Sequence, residues 1–182
     1  YWRNITMKMF KKIMAVALVG VMALSMLTGC AVTNAVVEDK AKSALENACK
    51  TVTGETVNFK SLKVDSSVTG PVKTEIKNGT IQLKDGETYA TTVKSGDKVY
   101  TVVVVTEPKS ATKIENWKNV ALKVLFAATA DPYDIHLEGT TNKTAKVDVT
   151  VDLEGKDKTD NNKKDTYAMF VFAANKPAYD KK

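Results

Sequence analysis

Four consecutive valines at positions 102–105 constrain this chain more than any other feature. Successive side chains on a strand point to opposite faces of the sheet, so a strand with one wet face alternates apolar and polar residues. An unbroken apolar run needs cover on both faces. The stretch "VVVV" therefore reads as a central strand, buried from both sides.

Turn dipeptides supply its neighbours. Asn78-Gly79 stands between "TEIK" and "TIQLK", Asp85-Gly86 follows, and Gly96 interrupts "VKSGDKVY". Asn-Gly and Asp-Gly favour the left-handed backbone of two-residue hairpin loops. The expectation is an antiparallel meander with strands near 57–64, 72–77, 80–84, 87–94 and 98–106. Ile76 and Ile81 would oppose one another across Asn78-Gly79, with Leu83 on the same side. Downstream, the alternating "KVDVTVDL" at 146–153 and the apolar "YAMFVFAA" at 167–174 predict a second hairpin. Its connection "EGKDKTDNNKKD" is charged enough to be solvated and mobile.

Two segments carry helical periodicity. After a Thr33-Asn34 cap, Val37, Ala41, Leu45, Ala48 and Val52 recur at helical spacing, which predicts a helix over 35–52 ended by Gly54. Pro108 stops the sheet, and Thr112-Lys113-Ile114-Glu115 matches a capping box. Ile114, Trp117, Ala121, Val124, Leu125 and Ala128 then mark one face of a helix reaching about Thr129. The expected class is α+β: two amphipathic helices on a mainly antiparallel sheet, a meander plus a C-terminal hairpin. Helix precedes strands twice, as a weak internal duplication would give. One domain over 35–175 is expected, with a frayed tail at 176–182.

The N-terminal segment is of another kind. Residues 1–6 precede the first methionine and read as an upstream extension or cloning remnant, with the start at Met7 or Met9. Lys8, Lys11 and Lys12 are followed by an uncharged run over 13–27 and by Thr28-Gly29-Cys30. That is the order of an export signal, a basic region, an apolar region and a small-residue cleavage site. A retained span would need roughly 20 apolar residues, and Gly20, Ser25, Thr28 and Gly29 break this one.

Leu27-Thr28-Gly29-Cys30 resembles the lipobox of bacterial lipoproteins. The resemblance covers residues 7–30 alone and implies a cleaved signal over 7–29. Cys30 would become the mature N-terminus, its sulfur carrying a diacylglyceryl group, with residues 30–34 as lipidated end and short linker. Two acyl chains at about 0.8 kcal/mol per buried methylene hold a protein stably on a membrane, so the domain would sit close to the bilayer, outside the cytoplasm. A Cys30–Cys49 disulfide in an ordinary secreted protein is the alternative. If Cys30 is acylated, Cys49 is a small buried hydrophobe on a helix.

Processing also changes the charge. The whole chain has 27 Lys and Arg against 21 Asp and Glu. Removing Arg3, Lys8, Lys11 and Lys12 leaves 23 against 21, a net charge of +2. Nucleic-acid binding would want a strongly basic domain with a clustered patch, and none is expected here.

Chemistry-bearing residues are few. The single histidine, His136, lies in "DPYDIHLEG", where Asp134, His136 and Glu138 would share one strand face. Neighbours two apart stand about 6.6 Å from each other. Asp134 with His136 could grip a zinc-type ion, but all three cannot reach it at bonds near 2.0–2.2 Å. The plainer reading is a polar strand face toward water. Asp157, Asp160 and Asp165 lack calcium-loop spacing, and no phosphate-cradling glycine motif occurs. The sequons at Asn78 and Asn142 read as turn chemistry. Tyr89, Tyr100, Trp117, Tyr133, Phe170 and Phe172 could floor a groove but suit a core.

The function expected is that of a lipid-anchored, non-catalytic module of the bacterial envelope. It would bind a protein, peptide or glycan through its sheet face or the loops at 131–145 and 154–165, with no cofactor beyond the lipid. An envelope hydrolase or metal-dependent enzyme using Asp134, His136 or Glu138 is the second expectation. A structural envelope protein, or an inhibitor of a secreted enzyme, is the third.

Overall fold

The computed structural model describes residues 34–107, 114–130, 135–160 and 162–175. Cys30, the Thr112 cap, Tyr133 and Asp134 lie outside them. Among the described residues the elements are α1 (Asn34–Thr53), β1 (Val57–Ser61), α2 (Ser66–Asn78), β2 (Thr88–Ser95), β3 (Lys98–Thr106), α3 (Ile114–Thr129), β4 (Lys143–Lys156) and β5 (Lys164–Ala173). The five strands form one sheet in the order β1-β4-β5-β3-β2. Every neighbouring pair is antiparallel except β1 with β4. The fold is α+β, with three helices among the described residues packed on a mixed sheet.

The third helix corrects the expected meander. Residues 72–77 and 80–84 form no hairpin: the first belongs to α2 and the second to an irregular stretch after it. Asp65 caps α2, its carboxylate accepting from Ser67 N at 2.8 Å. Val68, Val72 and Ile76 recur every four residues and form its buried stripe. Gly79, at φ 82°, closes the helix by donating to Ile76 O. A left-handed glycine serves a hairpin turn and a helix C-cap equally well. Burying the Val68–Val72–Ile76 stripe decides for the helix. Ile76 and Ile81 still meet, as members of one apolar cluster. With a helix-strand-helix-strand-strand first half and a helix-strand-strand second half, the halves do not carry the same elements.

The valine run behaves as its pattern requires. Val103 and Val105 join the cluster under α1 and α3, while Val102 and Val104 join the cluster under α2. Phe170 and Phe172 of β5 point with the former, Met169 and Val171 with the latter. Both faces of the central strands β3 and β5 are therefore covered, while β1 and β4 keep exposed side chains on one face. Every core residue among those described lies between Val37 and Phe172, so a fragment beginning at Ala31 keeps both clusters whole.

Hydrogen bonds from α1 to β1 fix the direction of the first helix. Glu46 Oε1 accepts from Phe59 N at 3.0 Å, and Lys42 Nζ donates to Ser61 Oγ at 2.8 Å. Helix numbering falls as strand numbering rises, so α1 runs antiparallel to β1 and, through the parallel pairing, to β4. The start of α1 thus lies toward the end of the sheet where β4 finishes.

Candidate functional site

The segment containing His136 is a connector with two isolated bridges, Ile135 to Ala174 and Glu138 to Thr144. It is not a strand of its own. His136 N donates to Ala173 O at 2.8 Å, and the ring donates from Nδ1 to Asn175 Oδ1 at 2.7 Å. The other ring nitrogen stands 3.9 Å from Glu138 Oε1, beyond hydrogen-bond reach. Glu138 pairs instead with Lys146 at 3.2 Å. His136 and Glu138 are thus on one side, as alternation predicts, yet each is occupied with a structural neighbour. Among the described residues no three His, Cys, Asp or Glu side chains are grouped to hold a metal.

The loop after β4 offers more. Strands β4 and β5 extend farther than expected, leaving a short connection in which Asp157 N donates to Lys163 O. The Asp157 carboxylate accepts from the Thr159 hydroxyl and from the backbone of Thr159 and Asp160 at 2.6 and 2.8 Å, and these bonds, the hydroxyl's first, hold it below the usual carboxylate range. Such Asx turns organise a loop that composition alone predicted to be mobile.

Between this loop, the end of β4 and the last turn of α2 lies a cleft of about 370 Å³. Lys77, Lys156, Lys163 and Lys164 line it, with Glu154 and Asn162. Its base is fixed by close packing. A Cβ on Gly155 would stand 2.5 Å from Tyr167 Cε2 and 2.8 Å from Ile76 Cγ2, so only glycine lets α2 and β5 approach there. Tyr167 donates its phenol hydrogen to Lys156 O at 3.1 Å and accepts from Leu83 N at 3.4 Å. Lys164 binds Glu154 at 2.8 Å and Lys163 lies 3.6 Å from Asp160.

The 154–165 loop is legible in the sequence, whereas Lys77, within the strand expected over 72–77, lies on α2. The four-residue spacing of Val68, Val72 and Ile76 was the signal that could have placed it.

Two carboxylates outside the cleft are raised. Partial burial pushes Glu107 up to about 7; Asp152 N donates to its Oε2 at 3.1 Å and draws it back only in part. Asp152 has a left-handed backbone, φ 57°, where β4 shifts register against β5. Asp148 on β4 is likewise raised by burial, against the pull of Lys73 and Lys42. Neither lines the cleft.

The candidate aromatics went mostly to the core. Trp117 meets Phe170 edge-on at 6.4 Å, and Phe59 meets Phe172 at 6.2 Å. Tyr100 is buried and Tyr89 half-buried against the α2 cluster. Asn78 Oδ1 accepts from Thr80 N and Oγ1, so that sequon is turn chemistry. Cys49 is buried on α1 as a free thiol. No helix among the described residues is long and apolar enough to cross a membrane.

Comparison with known proteins finds no matching family model and no match among curated proteins or solved structures.

Proposed function

We propose that this chain is a lipid-anchored lipoprotein of the bacterial envelope whose folded domain is a non-catalytic binding module. The observation that carries the binding reading is the cleft beside the β4–β5 loop, a concave site lined by side chains of α2, β4 and that loop. A volume of this size admits a small ligand or one unit of a polymer. The anchor rests on Leu27-Thr28-Gly29-Cys30.

Two experiments test the two halves. Cells expressing the full chain should incorporate labelled fatty acid at Cys30, and Cys30→Ala should release the protein from the membrane fraction. Retention of Cys30→Ala on the membrane would end the anchoring reading. The fragment from Ala31 should unfold at a higher temperature with a cell-wall fragment, oligosaccharide or peptide. A ligand at 100 times its Kd adds about 2.7 kcal/mol; no shift with any of them, and no partner captured from envelope extracts, would sink the binding reading.

The enzyme reading keeps one supporting observation, the half-exposed ring of His136 beside Glu138. Turnover of an envelope substrate that His136→Ala abolishes while the fold persists would establish it. Unchanged turnover would end it.

A further inference from the structure

We infer that the lysine cleft is a site for a phosphate-bearing ligand. The inference deepens the binding reading of this same cleft and does not depend on the anchor.

Charge makes the first argument. Four lysines against one glutamate leave the lining at +3. The nearest opposing dipole is the C-terminal end of α2, about half a unit of negative charge, and it cannot reverse that sign. Lys77 and Lys156 form no ion pair with any described carboxylate. Lys163 and Lys164 form exposed pairs with Asp160 and Glu154, all four side chains at least 40 % accessible. Exposed pairs of this kind are worth little, so an entering anion can take over those ammonium groups.

Donor geometry makes the second. The site presents ammonium point charges on flexible stems and no guanidinium fork. A planar carboxylate is best gripped by the fork of an arginine, whereas rotatable lysine donors suit the several oxygens of a phosphate. Asn162, whose backbone is held by the Asp160 carboxylate at 3.0 Å, adds a neutral amide at the rim. The base of the cleft is preformed by Gly155, Ile76 and Tyr167, so binding requires only the lysine tips to order.

The same chemistry could come from a free phosphate ester, a phosphodiester polymer or a lipid headgroup, and the probes separate them. The fragment from Ala31 is titrated with glycerol phosphate, with inorganic polyphosphate, and with vesicles of phosphatidylcholine with and without phosphatidylglycerol. Calorimetry and sedimentation read the binding. Binding to at least one phosphate probe should weaken at least tenfold in Lys77→Ala/Lys156→Ala and fall as salt rises. Lys60→Ala, on β1, should leave it unchanged. Both target lysines are exposed, so the double variant should fold, and its unfolding temperature checks this.

Which probe responds names the source: polyphosphate alone a polymer, glycerol phosphate a small ester, vesicles alone a headgroup. Absence of binding to every probe overturns the inference, and so does binding that survives the double substitution. A neutral glycan or peptide seated in the cleft would overturn the phosphate assignment while leaving the binding reading intact.

Discussion

Tyr167 of β5 donates its phenol hydrogen to the carbonyl oxygen of Lys156, 3.1 Å away at the end of β4. The ring is wholly buried, and burial holds its hydroxyl above the ordinary phenol range. This single side chain joins β4, β5 and the stretch after α2, because the same oxygen accepts from Leu83 N.

Tyr167→Phe keeps the ring and removes only those bonds. It should cost about 1–3 kcal/mol, since the buried carbonyl and amide lose their partner. Equilibrium unfolding in urea measures this. If phosphate probes bind the cleft, their affinity should also fall, because Lys156 is no longer held from beneath.

Thr101 offers the opposite case. It is completely buried on β3, and its hydroxyl has no partner among the described residues; the hydroxyl of half-buried Thr92, directly across on β2, likewise has none among them. Thr101→Val replaces the hydroxyl by a methyl of similar shape. Stability should rise by about 1 kcal/mol, seen as a higher urea midpoint at unchanged slope.

Glu107 makes stability depend on pH. Its folded pKa is raised from 4.5 to about 7, so between those values the folded chain binds more protons than the unfolded one. Stability from this group is therefore greatest below about pH 4.5 and is lost as pH rises through 7. Glu107→Gln should flatten that slope and raise stability at pH 8. A shift of this size corresponds to at most about 3 kcal/mol, and solvent screening of a half-buried group reduces it to about 1. Urea midpoints at pH 5 and pH 8, for both proteins, decide it.

Cys49 should be inert in the folded state. Burial, with Glu46 and Glu55 adding to it, pushes its thiol up to about 12, so almost no thiolate exists at pH 8. In the fragment from Ala31 it is the one cysteine. Iodoacetamide should leave it unmodified until urea unfolds the chain. Rapid labelling under native conditions would show that α1 opens locally.

Most strands were legible because their patterns are local. The valines at 102–105, the Gly96 hairpin and the alternation of β4 each point to one backbone state. The helices α1 and α3 were legible for the same reason. α2 was not, because "PVKTEIKNG" alternates like a strand and ends on a dipeptide that serves two structures. The four-residue spacing of Val68, Val72 and Ile76 competes with that pattern, and burial of this stripe against the sheet decides for the helix.

The candidate site divides along the same line. By itself the sequence determined the α+β class, the both-sided burial of β3 and the lipobox expectation at Cys30, since each depends on neighbours a few residues apart. Tertiary structure alone decided that Lys77 lines one cleft with Lys156, Lys163 and Lys164, and that the His136 ring bonds Asn175. Those groups are separated by tens of residues, and their meeting depends on which helix covers which face. Charge in a sequence is a sum, but charge in a cleft depends on where the backbone carries each side chain.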